Sequence, residues 1–272
     1  MKLATVRTQA GTAAVRVDGN DAVEIGLPDV GTLLHEPDWR ALAERADGAR
    51  HRFDSLDYAP LVPRPNKIVC VGLNYRSHIL EMGRELPSYP TLFAKFALTL
   101  IGAHDQITLP VVSQEMDWEA ELAVVVGAPA RNLSTADAAE AIAGYAVLND
   151  ITARDWQNRT LQWLQGKTFE ATTPLGPHLV TRDEAGDEHE LSCEVDGELM
   201  QKASTGDLVF SPAELIAYVS QIVTLEPGDV IATGTPGGVG AAQQPPRFLA
   251  AGSEVVTRIS GVGSCRNVCR CD

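Results

Sequence analysis

Apolar and β-branched residues fall in short runs along this chain, separated by glycine, proline and small polar residues, and long stretches of helical periodicity are scarce. Strands are predicted at 2–7, 12–18 and 22–25, then at 67–72, 91–96, 106–109, 117–126, 144–150, 177–181, 191–196, 229–233 and 253–259. Helices are predicted where start signals occur. One covers Pro37 to Ala46 and stops near Gly48; a second follows Ser134-Thr135-Ala136-Asp137 into an alanine-rich run. A third follows Ser211-Pro212-Ala213-Glu214, which joins an N-cap serine, proline at the first helical position and a capping-box glutamate. A further helix is predicted over 152–165. Strands outnumber helices and do not alternate with them, so the expected class is α+β and β-dominated, a mixed roll or sandwich unlike a doubly wound sheet. Pro60, Pro63 and Pro65 mark the best linker. They divide a small N-terminal α/β domain, residues 1–62, from a main domain, residues 63–272.

The predicted strand over 117–126 carries Glu119 and Glu121, and residues two apart on a strand share a face. Leading into an apolar run, two such acids repel each other and lose hydration unless a cation neutralises them. Asp150 closes another apolar run, Tyr145 to Asn149, where strands deliver functional groups to loops. Three oxygen donors without a histidine or cysteine pattern favour Mg2+ or Mn2+ over zinc. The alternative is that the glutamates line the solvated side of a half-buried strand.

Composition narrows the function. The 272 residues are 44% hydrophobic and 21% charged, as in an ordinary globular protein. The net charge of −14 excludes a general nucleic-acid binder, which needs a basic footprint. An acidic substrate then needs local cations such as Arg154 and Lys167. No stretch reaches the length of a membrane span, and the start lacks a long apolar core, so a cytoplasmic setting is expected. Five irregularly spaced cysteines do not resemble a disulfide framework; Cys265, Cys269 and Cys271 are expected as unpaired thiols in a mobile end, with soft-metal binding as the alternative.

Four more segments carry chemistry. In Gly72 to Gly83, His78 and Glu81 are three apart and meet if the piece is helical, as a general base and its orienting carboxylate. Gly83, Pro87 and Pro90 suit a mobile flap. Just past Asp150, Arg154 offers a clamp for a carboxylate and Gln157 a hydrogen bond to a carbonyl, unless Arg154 merely pairs with Asp155. Lys167 stabilises an enolate if held inside, and is a surface charge otherwise. The turn from Gly234 to Gly240 offers backbone N–H groups and the Thr235 hydroxyl to a carboxylate, or is only a tight turn; it lacks the ending of a nucleotide-binding loop.

These segments together resemble the fumarylacetoacetate hydrolase family. The resemblance covers Pro65 to Val262 and rests on five motifs in the family's order. They are Val71-Gly72-Leu73-Asn74-Tyr75-x-x-His78-x-x-Glu81, Asp117-x-Glu119-x-Glu121-Leu122-Ala123, Asn149-Asp150-x-Thr152-Ala153-Arg154-Asp155-x-Gln157, Gln165-Gly166-Lys167-x-Phe169 and Thr233-Gly234-Thr235-Pro236-x-Gly238-Val239-Gly240. The resemblance implies a β-rich roll with a small N-terminal domain, a homodimer, and Mg2+ or Mn2+ on Glu119, Glu121 and Asp150. It implies that His78 with Glu81 activates water, that Lys167 and Gln157 polarise the reacting carbonyl, and that Arg154, Gly234 and Thr235 hold substrate oxygens. The expected activity is hydrolysis of a carbon–carbon bond in a 2,4-dioxo acid of the acylpyruvate or fumarylpyruvate type through a metal-stabilised enolate. The alternatives are decarboxylation of an oxaloacetate-like acid, isomerisation or tautomerisation of hydroxymuconate-type dienoates, and a non-catalytic scaffold that keeps the fold.

Overall fold

The β-branched runs become the strands of two sheets in the computed structural model of the chain, which describes residues 1–186 and 188–272. The larger sheet has eleven strands. In order across it come Arg50–Arg52, Asp21–Glu24, Gly11–Asp18, Lys2–Thr8, Thr173–Thr181, Ile142–Asn149, Ala120–Val126, Val230–Ala232, Ile68–Gly72 and Thr91–Lys95, with Leu100–Ile101 beside Thr173–Thr181. The second sheet runs Glu198–Ser204, Glu190–Val195, Glu254–Ile259, Gly263–Cys271 and Ile107–Leu109. This is the β-dominated α+β architecture expected.

Ala120–Val126 and Ile142–Asn149 lie mid-sheet and are buried at every position. Their side chains alternate between two cores, as the two-residue period of a strand requires. Leu122, Val124 and Val126 enter one core, with Trp118, Leu215 and Ile259. Ala123 and Val125 enter the other, with Leu33, Trp39 and Leu148. Burying a large aliphatic side chain contributes about 1.5–3 kcal/mol, so these two strands anchor the molecule.

The first 62 residues are not packed as a separate unit. Leu3 pairs with Leu179 and Lys2 with Val180, which continues the main sheet, and Val30, Leu33 and Trp39 share a core with Val125 and Leu148. This pairing and this shared core cross the boundary expected near the prolines.

The predicted capping box forms in full at Pro212–Ile222, and Ser134 caps Thr135–Glu140. The helix expected over 37–46 shrinks to Trp39–Glu44, and Val30–Leu34 is an additional one. The helix expected over 152–165 is absent as one element. Thr152–Ala153 pairs with Met116–Asp117, and two single turns follow, Arg154–Gln157 and Leu164–Lys167. The C-terminal cysteines, expected in a mobile end, stand on the strand Gly263–Cys271, with Cys265 and Cys269 buried and Cys271 exposed. No described helix is long and apolar enough to cross a membrane.

Candidate metal centre and active site

The register between the two mid-sheet strands builds the site. Ala120 pairs with Asn149 and Glu121 with Leu148, and one residue further the Asp150 N–H donates to the Glu119 carbonyl at 2.8 Å. Glu119 and Asp150 are therefore cross-strand neighbours, and Glu121 lies two residues along on the same face. Glu119 stands just before the strand and not within it, and the strand is covered on both faces. The solvated-side alternative is excluded, because Glu121 is 1% and Asp150 0% exposed.

The three acids bring ligand oxygens within 4.8 Å of one another, the one such grouping of histidine, cysteine and acidic side chains among the described residues. No soft-metal cluster of the C-terminal cysteines accompanies it there.

Three cations share this floor. Lys167 Nζ donates to Glu119 Oε2 at 2.5 Å and to Asp150 Oδ2 at 2.7 Å. Lys95 Nζ donates to Asp150 Oδ1 at 2.6 Å. Arg154 pairs with Glu119 Oε1 at 2.7 Å and, through Nε, with Asp117 Oδ2 at 2.8 Å. Asp117 also accepts the N–H groups of Trp118, Gly240 and Ala241.

Four buried carboxylates thus face three cations, and among the described residues Glu121 is the one left without an ion pair, accepting only the Gly234 N–H at 2.8 Å. Burial, then repulsion from Asp150 and Glu119, holds its pKa well above the usual 4.5. For Asp150 burial acts in the same direction, but Lys167 and Lys95 outweigh it and its pKa is lowered. A buried acid short of one positive charge, beside two more oxygen donors, fits a hard divalent cation.

Gly166 lets Lys167 reach this floor. A Cβ there would lie 2.6 Å from the Ala153 carbonyl and from Gln157 Cβ, so only glycine lets the turn Leu164–Lys167 pack so closely. Lys167 is 2% exposed, which excludes the surface-charge reading. Asp150 and Glu119 keep its pKa above the usual 10.5 although burial acts against the charge.

Above the floor opens a cavity of about 460 Å³, walled on its apolar side by Phe93, Trp163 and Val239. His78, Glu119, Glu121, Arg154, Gln157, Lys167 and Thr235 all line it. His78 stands on the short helix Arg76–Glu81. Burial lowers its pKa from 6.5, opposed by the charges of Glu81 and Glu119. Glu81 is exposed, does not line the cavity, and forms no hydrogen bond with His78.

Three residues expected to hold substrate oxygens are engaged by the protein itself. Arg154 spends Nε on Asp117 and Nη1 on Glu119 and on Gln157 Oε1, the last at 2.9 Å. It does not pair with Asp155, which accepts from Ser113. Gly234 spends its N–H on Glu121. Thr235 donates to the Ala120 carbonyl at 2.9 Å and accepts from Gln201 at 2.8 Å. The glycine turn therefore cradles carboxylates of the protein itself.

Lys95, Asp117, Gln201 and Arg84 carry parts of the site that the sequence reading leaves out. Lys95 stands inside an otherwise apolar run, Leu92 to Leu98, the one signal that it faces inward.

The fumarylacetoacetate (FAA) hydrolase C-terminal family matches residues 67–270. Mitochondrial oxaloacetate tautomerase FAHD2B of Bos taurus is 50% identical over 206 residues, 74% of this chain. That alignment spans 66% of the bovine protein, just under two thirds of its length. Fumarylacetoacetate hydrolase of Exiguobacterium antarcticum is 30% identical with a TM-score of 0.89, over 100% of both chains. The 5-carboxymethyl-2-hydroxymuconate delta-isomerase of Mycobacterium smegmatis, also 30% identical, superposes with a TM-score of 0.85 over 100% of both.

Proposed function

Because the chain belongs to the fumarylacetoacetate hydrolase family, whose matched relatives include a hydrolase, an isomerase and a tautomerase, we propose that it interconverts the enol and keto forms of an oxaloacetate-type 2-oxo acid. One observation carries this choice. A single imidazole, its pKa pushed down by burial, shares the cavity with Glu119 and Glu121 of the acid trio, and no hydrogen bond joins it to Glu81. Proton transfer within the substrate needs only an imidazole that can take one proton and return it.

Glu119, Glu121 and Asp150 would hold Mg2+ or Mn2+, which supplies electrophilic stabilisation of negative charge on the substrate's oxygens. The chain's own groups do the rest. From enol to keto, the O–H bond at C2 breaks and a C–H bond forms at C3. His78 takes the proton and returns it to C3. Lys167, fixed as an ammonium ion, stabilises the charge that appears on the C2 oxygen. Gln157 lends its amide N–H to the same end of the substrate, and Phe93 and Trp163 exclude water.

The test follows the ultraviolet absorbance of enol-oxaloacetate as it ketonises, with and without Mg2+. Acceleration over buffer that chelator abolishes is expected. Cleavage of acetylpyruvate with no acceleration of ketonisation would instead favour the hydrolytic reading drawn from the motifs. A homodimer belongs to the same proposal, and sedimentation equilibrium measures it.

A further inference from the structure

Among the cations lining the cavity, Lys167 and Arg154 are bound to the acids of the floor, whereas the Arg84 side chain has no hydrogen bond or ion pair among the described residues. Its place is set by the backbone. The helix bearing His78 ends with Gly83 at φ +67°, the Gly83 N–H donating to the Leu80 carbonyl at 2.9 Å and the Arg84 N–H to the Ile79 carbonyl at 3.2 Å. This paired closure, with glycine in the left-handed region, turns the chain at a defined angle. It returns Arg84 to the same cavity as His78, close enough for its charge to depress the imidazole's pKa. Gly83 marks this turn in the sequence, but the cavity to which it returns the chain is set by tertiary structure.

We infer that Arg84 is a specificity-determining residue that binds the second carboxylate of a dicarboxylic 2-oxo acid. The inference rests on the tautomerase reading and extends it to the substrate class. With the 2-oxo acid end on the floor and C3 at His78, a carboxylate attached to C3 lies on the side of the imidazole. Arg84 is the uncommitted guanidinium there, and its planar fork suits bidentate recognition of a carboxylate.

The experiment compares the full chain with Arg84→Gln and Arg84→Lys, loaded with Mg2+. Ketonisation rates are read for the enols of oxaloacetate and of a monocarboxylic 2-oxo acid. Arg84→Gln is expected to lower the ratio of kcat/KM for the dicarboxylate to that for the monocarboxylate about tenfold, as for loss of one partly exposed charge-assisted contact. The change should lie mainly in KM, and Arg84→Lys should keep most of the preference. A calorimetric titration with oxaloacetate and with pyruvate reads the same ratio without turnover. Loss of the binding preference in Arg84→Gln therefore supports the assignment even if the parent proves not to be a tautomerase. An unchanged ratio, or equal losses for both acids, overturns it.

Discussion

Lys95→Met tests the charge balance under the cavity most directly. Lys95 Nζ lies 2.6 Å from Asp150 Oδ1, and neither side chain is exposed at all. Methionine keeps the unbranched stem and removes the charge. Four carboxylates then face Lys167 and Arg154 alone. Removing one member of a buried pair typically costs about 3–5 kcal/mol, because the remaining charge stays out of water. Lys167 still holds Asp150 Oδ2 at 2.7 Å, which argues for the lower end. A loss of about 3 kcal/mol corresponds to a melting temperature lower by about 6–12 °C for a chain of this size. Calorimetric melting with and without saturating Mg2+ measures it. A divalent cation neutralises the same oxygens and stabilises the fold by mass action, so it should raise the melting point of the variant more than that of the parent. If the variant melted with the parent, or metal added equal increments to both, the charge accounting would be wrong.

Glu121→Gln keeps an acceptor for the Gly234 N–H and removes the unpaired buried charge. Mn2+ binding followed by electron paramagnetic resonance should be lost while metal-free stability holds or rises by about 1 kcal/mol or more, and a large fall in metal-free stability would contradict this. Burial first, and then Lys2, pushes the His178 pKa down from 6.5 to about 4. The unfolded chain binds this proton near pH 6.5 and the folded chain does not, so the contribution is complete above pH 6.5 and falls by about 3 kcal/mol as pH drops to about 4. Urea midpoints across that window should show a shallower slope for His178→Gln; an identical slope would refute the assignment. Asp207 accepts the Ser77 N–H at 3.0 Å and the Ser77 hydroxyl, capping the helix of His78 from a distant loop. Asp207→Ala should cost about 1 kcal/mol of stability and lower kcat with Mn2+ affinity unchanged, whereas weakened metal binding would show that the loop supports the floor instead.

The strands, the two helix caps and the acid trio are legible because each depends on local pattern. Ser211 and Glu214 satisfy each other within one turn, and the glutamates declare their shared face by spacing alone. What stays hidden depends on partners far along the chain. Lys95 reads as one charge among apolar residues, and its meaning comes from Asp150, which only the fold brings to it. Arg154 looks free until Asp117 and Glu119 claim it. The C-terminal strand escapes detection because its alternation is inverted at two places. Asn267 points inward, donating to the Gly102 and Asp105 carbonyls, while Val268 is 40% exposed. The 152–165 segment misleads because Gly166 and the short pairing at Thr152–Ala153 serve packing against the site and not helical propensity.

The pairing of Lys2 and Leu3 with Val180 and Leu179 limits how the molecule can be dissected. Deleting the opening 62 residues would leave the Leu179–Val180 end of Thr173–Thr181 as a bare rim, with backbone donors and acceptors unmatched and the aliphatic face beneath the lost helices wetted. Such a rim invites another chain to add itself there. The part bearing the chemistry cannot simply be lifted out as a minimal soluble fragment, and changes in Lys2–Thr8 would reach the strands that carry the acid floor, Ile142–Asn149 and Ala120–Val126, through Thr173–Thr181 alone.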